Sequence, residues 1–181
     1  MKKFELTNEF ITNMFGTKLF RIRALVEFGD VEAGELGGYV EKESNLGHDD
    51  NAWVYDNAWV YGNARVYGDA QVSGDARVYG NARVYGNAWV YGNALVCSDE
   101  DYAYAHGFGS VNRTTTFFRL KDGGVGVRCG CFYGTLAQFR DKIRETHGET
   151  KKAQEYLMLA DLMELRFEED ENEVGNRKYV E

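Results

Sequence analysis

Proline is absent from all 181 residues, and a chain that gives up none of its backbone N–H groups suits a continuous hydrogen-bonded ladder. Cysteine is scarce. Cys97, Cys129 and Cys131 are an odd set, which argues against a disulfide framework and fits a reducing compartment. Histidine is equally rare, at positions 48, 106 and 147 only. No apolar run approaches the roughly 20 residues needed to span a bilayer, and the opening MKKFELTNEF lacks the apolar core of a signal peptide. The expectation is a cytosolic protein without membrane contact. Cations are outnumbered, 21 Lys and Arg against 29 Asp and Glu, for a formal net charge of −8. Broad, sequence-independent nucleic-acid binding depends on neutralising many phosphates, so this balance speaks against it.

The acid is not spread evenly. Residues 51–98 set Asp56, Asp69 and Asp75 against Arg65, Arg77 and Arg83, and the excess lies in the flanks, most densely at Glu168, Glu169, Asp170, Glu171 and Glu173. That run reads as a solvated tail.

The neutral middle is a repeat. From Asn51 to Ser98 the chain writes NAWVYD, NAWVYG, NARVYG, DAQVSG, DARVYG, NARVYG, NAWVYG and NALVCS, and a fixed short period signals a stacked solenoid. Side chains alternate across a strand, so Ala and Val face inward while the variable residue and Tyr face outward. Gly with Asn or Asp supplies a corner, because these residues tolerate positive φ. Each hexad then reads as a four-residue strand and a two-residue corner, three of which close a coil of eighteen residues. Coils should stack about 4.8 Å apart, like strands in a sheet.

The motif, an aliphatic residue with a small one four places on, resembles the hexapeptide repeat of left-handed parallel β-helices. The left hand is implied by that resemblance alone, since generic crossover rules favour the right hand.

The flanks read as caps, which an end coil needs to cover its edge and its core cross-section. Phe4, Leu6, Leu19, Ile22 and Leu25, with a polar turn around Gly16, make a hairpin. The hexad register can be followed back through GDVEAGELGGYVEKESNLGHDD, with Leu36 on a Val site and Val40 and Leu46 on Ala sites. Lys42 and His48 would then point inward, at a cost that argues for a degenerate first coil with bulges. After the repeat, SDEDYAYAHGFGSVNR reads as an irregular exit loop, followed by a hairpin of TTTFFRL and VGVRCGCFYG. Thr135 with Gln138 forms a capping-box pattern that opens a helix ending near Gly148. A second helix over about 151–167 carries Ala153, Tyr156, Leu157, Ala160, Met163 and Phe167 on one stripe and Met158, Leu162 and Leu165 on another, which predicts burial on both sides, one of them by another subunit.

The expectation is therefore a mainly β protein: a capping hairpin over 1–35, a short left-handed parallel β-helix over 36–98, and a small C-terminal α+β unit over 99–181. The order FELTNEF…LFRIRAL, GELGGYVEKESNL, the hexads, and TTTFFRLKDG…CGCFYGTLAQF…THG is similar to that of hexapeptide-repeat proteins carried by bacteriophages and prophages. That resemblance implies a phage origin and the cytoplasm of an infected bacterium as the place of action.

Two functional readings are open. Hexapeptide acyltransferases share the solenoid and generally use a histidine base, yet the hexads hold none, His48 reads as an exposed loop residue, and His106 and His147 lie in the flanks. Cys129, Cys131 and His147 make a weak metal set, and with Val125 and Val127 the cysteines read better as buried strand residues. No catalytic residue, metal or cofactor is assigned. The preferred reading is a non-catalytic phage protein that engages or sequesters a host component, such as a defence factor or its nucleotide-like signal.

The candidate contacts lie outside the coil. Trp53, Trp59 and Trp89, with Tyr55 and Tyr91, are expected to form an oligomer surface, a homotrimer by resemblance. Arg65 with Arg83 and Tyr67 with Tyr85 stack one coil apart, and Arg77 with Tyr79 lies on the neighbouring face. These are either cation–π ladders that hold the coil or a binding surface for a host protein or small anionic ligand, with the Arg65–Arg83 pair as a forked anion site.

Overall fold

Hexad by hexad, the repeat lays down two-residue strands that stack in parallel on three faces. The computed structural model describes residues 1–168, so the acidic run from Glu169 onward lies outside the described residues. An N-terminal pair, β1 (Phe4–Thr12) and β2 (Lys18–Ala24), leads into β3 (Leu36–Val40). The repeat follows as β4 (Trp53–Val54), β5 (Trp59–Val60), β6 (Arg65–Val66), β7 (Gln71–Val72), β8 (Arg77–Val78), β9 (Arg83–Val84), β10 (Trp89–Val90) and β11 (Leu95–Val96). One face is β4–β7–β10, a second continues β3–β5–β8–β11, and the third is β6–β9.

Val54 lies beside Val72, Val60 beside Val78 and Val66 beside Val84, the eighteen-residue coil. The inward Ala and Val residues are buried throughout. The regular strand is only two residues long, but its bonds span four: the Trp59 amide donates to the Ala76 carbonyl and the Tyr61 amide to Val78. Corner glycines from Gly62 to Gly92 have φ between 63° and 73°, and in the first corner Asp56 takes φ 53° instead. Asp56 also accepts from the Gly74 amide at 2.9 Å, a bond to the next coil rather than to its own backbone.

The first coil departs from the predicted register. Val40 pairs with Val60, and Leu46 bridges Val66, so both sit on Val sites, twenty residues from their partners rather than eighteen. Two extra residues are accommodated between Gly47 and Trp53. Here His48 is not an exposed loop residue: its ring stacks on Phe4 at 4.5 Å, its Nδ1 accepts from the Lys3 amide and its Nε2 meets Glu43 at 2.9 Å.

Lys3 fills the bulge. Its ammonium donates to the carbonyls of Asp50 and Ala52 at 3.2 and 2.8 Å and lies over the Phe28 ring. Burial lowers its pKa from 10.5 to about 8, with Asp50, Asp49 and Asp69 pulling the other way. Folding thus favours the neutral amine. Below about pH 8 both states hold the proton and the penalty is complete; between about 8 and 10.5 the unfolded chain binds more protons, so stability rises with pH. Burial raises the Tyr55 and Tyr61 phenols above 10, so above that pH the unfolded chain releases protons the fold retains, and stability falls. The urea midpoint should therefore peak in the alkaline range, and Lys3→Met should remove the rise that precedes the peak.

The C-terminal unit is a four-stranded antiparallel sheet, β12 (Tyr102–Phe108), β13 (Arg113–Arg119), β14 (Val125–Cys129) and β15 (Phe132–Thr135), with α1 (Leu136–His147) and α2 (Lys151–Phe167) against it. The stretch read as an exit loop thus contains a strand, because Tyr102–Phe108 gains a partner in β13 that local sequence does not reveal. Strand alternation lets β13 serve two cores: Phe118 packs into the solenoid core and Phe117 against the helices. Thr135 and Gln138 make the predicted capping box. Cys129 is buried, but the strand ends there, and Cys131, past a turn at Gly130, is exposed. On α2, Ala153, Tyr156, Ala160, Met163 and Phe167 are buried and Leu157 is half-buried, whereas Met158, Leu162 and Leu165 are 71%, 55% and 67% exposed.

Candidate binding faces of the solenoid

The β6–β9 face places Arg65 beside Arg83 and stacks Tyr67 on Tyr85 at 5.4 Å. Asp99, in the acidic exit from the repeat, occupies the Arg83 fork: its carboxylate accepts from Nε at 2.9 Å, from a terminal nitrogen, and from the Arg83 amide at 2.7 Å. This pairing raises the Arg83 pKa, and the same bonds, against burial, hold Asp99 below its usual range. An anion arriving at Arg83 would meet a carboxylate already in place. Arg65 is exposed, so one guanidinium rather than a pair is presented. Tyr104 and Tyr102 set their edges on Tyr85, and the Tyr102 hydroxyl donates to the Arg83 carbonyl. The exit strand thus seals one end of this face.

On the β3–β5–β8–β11 face, Arg77 lies over the Trp59 ring at 4.4 Å and Tyr61 stacks on Tyr79 at 5.2 Å. Burial, followed by the neighbouring Cys97 thiol, raises the Tyr79 phenol. One strand further out, Arg21 lies over Tyr39, whose hydroxyl donates to Glu9. Arginine over an aromatic ring recurs here as part of the wall, a contact worth about 0.5–1 kcal/mol where exposed.

The β4–β7–β10 face is different. Trp53 does not project into solvent: the N-terminal unit covers it completely, with Phe4 and Phe28 edge-on at 6.2 and 5.3 Å. It is removed from the oligomer surface because outward alternation says nothing of what another element lays on top. At the opposite end the C-terminal sheet takes Trp89 and Tyr91. Arg128 lies over the Trp89 ring at 4.0 Å, Tyr133 sits against Tyr91 at 4.9 Å, and the Trp89 amide donates to Thr116. Between the two covered ends is the hexad DAQVSG, with Gln71 and Ser73 in place of larger residues. Ser73 accepts from the Trp89 indole N–H at 2.9 Å.

Above Gln71 opens a cleft of about 430 Å³ lined by Gly29, Asp30, Asn51, Tyr55, Asp69, Gln71, Asn87, Ala88 and Trp89. Asn51, Asp69 and Asn87 form a corner ladder one coil apart, with the Asn51 amide donating to Asp69 at 2.8 Å. Burial raises the Tyr55 phenol, and Glu35, Asp30 and Asp56 nearby add to the shift. Of the expected contact residues this cleft unites Tyr55 and Trp89; the sequence pattern does not mark out Asp30, Asn51, Asp69, Gln71 or Asn87 as a group. The departure of DAQVSG from its neighbours was the available signal.

The histidines lie apart from one another. His48 is in the first-coil bulge, His106 Nδ1 is 2.9 Å from the Thr114 hydroxyl on the C-terminal sheet, and His147 stacks on Tyr156 at the end of α1. Among the described residues no group of three His, Cys, Asp or Glu side chains is placed to hold a metal ion, and no helix is long and apolar enough to cross a membrane.

Three short parallel faces closed around an Ala–Val core define a repeat β-solenoid. Its repeat is similar to the YdcK beta solenoid repeat, whose family model matches residues 58–74, 70–86 and 76–92. That similarity lies wholly within the hexads. Among curated proteins no significant match was found.

Proposed function

We propose that this is a non-catalytic binding protein of bacteriophage origin that engages or sequesters a protein of its bacterial host, such as a defence factor, in the host cytoplasm. The observation that carries the reading is the cleft over Gln71. Both ends of that face are covered by the flanking units, and among the described residues the stretch left open between them coincides with the hexad that departs from the repeat. The phage assignment rests on the ordered resemblance of the segments around the hexads. A host protein is favoured over a nucleotide-like signal because, among the described residues, the cleft lining carries two carboxylates and no lysine or arginine. Self-association, as the trimer the resemblance implies, would use the exposed Met158–Leu165 stripe and Trp59 rather than Trp53.

Affinity purification of the protein from infected cells tests this. A host protein should be retained in constant ratio by the natural chain and lost from Asp69→Asn/Gln71→Trp, both changes being to residues the repeat already uses at equivalent positions. Light scattering of the chain purified without its partner should give a multiple of the chain mass. Equal retention by the natural chain and the variant would overturn the reading.

A further inference from the structure

The middle coil treats its faces unequally. On the β3–β5–β8–β11 face the middle residue, Arg77, lies between Trp59 and Leu95 in register and spreads its guanidinium over Trp59 at 4.4 Å. Gln71 holds the equivalent place on the β4–β7–β10 face, between Trp53 and Trp89. A neutral, shorter side chain thus stands where the neighbouring face has an arginine, and the space above it is the 430 Å³ cleft. The walls are those a guanidinium would select. Asp30 and Asp69 supply charge, Asn51 and Asn87 supply amide groups, and Tyr55 and Trp89 supply aromatic surface.

We infer that the cleft receives an arginine side chain of the partner protein, which takes the place that Arg77 fills on the adjacent face. The inference rests on the proposed binding role and names the chemistry recognised at the same site. A guanidinium is matched by carboxylates through paired, charge-assisted hydrogen bonds and by aromatic faces through stacking.

Among the described residues, the cations near the cleft are committed elsewhere. Lys3, which acts on Asp69 through space, holds the Asp50 and Ala52 carbonyls. Arg128 sits over Trp89 and Tyr91 and donates to the Phe132 carbonyl at 3.4 Å. Neither lines the cleft. Arg128 also shows that the Trp89 indole accepts a guanidinium within this structure. An anionic ligand would face Asp30 and Asp69 with no lysine or arginine among the described lining residues to offset them. A neutral ligand would make no use of the charge on either carboxylate.

The test needs no knowledge of the partner. The purified full chain is titrated with Nα-acetylarginine amide and with Nα-acetylcitrulline amide, which has nearly the same shape but no charge, while the Trp89 indole N–H is followed by NMR. Arginine should bind at least about tenfold more tightly than citrulline, the scale of a charge-assisted hydrogen bond. Its affinity should fall by about tenfold or more in Asp30→Asn/Asp69→Asn, fall as salt is raised, and vanish in Asp69→Asn/Gln71→Trp. The latter variant restores residues found elsewhere in the repeat, so the solenoid should still form. Equal binding of the two probes, no binding of arginine, or undiminished binding by the consensus variant would each overturn the inference. If arginine fails to bind but the consensus variant still loses the host protein, the binding role stands and the arginine assignment falls. If arginine binds and no host protein is retained, the reverse holds.

Discussion

Replacing Trp53 by alanine should lower the unfolding free energy by about 3–5 kcal/mol, the cost of emptying a large aromatic site. Trp53 is fully buried between the solenoid and the N-terminal unit, against Phe4 and Phe28. Gly37 shows how closely β3 approaches, since a Cβ there would come within 2.8 Å of the Trp53 ring. The loss should appear in urea unfolding as a lower midpoint, with early exposure of the β1–β2 hairpin. Trp53→Phe should cost far less. The buried indole N–H has no acceptor among the described residues, and removing an unpaired donor recovers about 1–3 kcal/mol against the lost volume. Equal losses for the two variants would mean that packing around Trp53 is not what joins the units.

The second large effect is at the other end. Asp101 Oδ2 accepts from the amides of Cys97 and Ser98, both at 2.9 Å, and from the Ser98 hydroxyl, which fixes the last corner of the solenoid. Its other oxygen lies 3.5 Å from Arg119 Nε, with both side chains almost wholly buried. Arg119 reaches on to the Phe167 carbonyl at the end of α2, so this pair ties the last coil, the sheet and the helix together. Arg119→Met should cost about 3–5 kcal/mol, because it removes one member of a buried ion pair. Asp101→Asn in the Arg119→Met background should recover part of that loss by removing the other charge of the pair. A double variant no more stable than Arg119→Met would show that the charge is not the source of the effect.

The hexads were legible because their period is short and each residue type has a single physical role, Ala and Val filling the column and Gly taking the positive φ of the corner. The capping box at Thr135 was legible for the same reason, since all its parts lie within four residues. What escaped was set by distant partners. Trp53 alternates outward yet is buried by Phe4 and Phe28 of the N-terminal unit. The Arg83 fork is filled by Asp99, sixteen residues on. His48 looks exposed within HDD but is held by Lys3 and Phe4 across the bulge. The cleft was half legible. Gln71 and Ser73 could be placed on their face from the period alone, but Asp30 comes from the N-terminal unit, and no spacing rule brings that loop to the middle coil.

Backbone hydrogen exchange on the co-purified complex, compared with the free protein, tests the central claim most directly. Binding at the interrupted coil should slow exchange in residues 69–74 and in the loop around Gly29 and Asp30, and leave the β6–β9 face with Arg65 and Tyr67 unchanged. Protection confined to that face or to α2, with residues 69–74 exchanging as in the free protein, would contradict it.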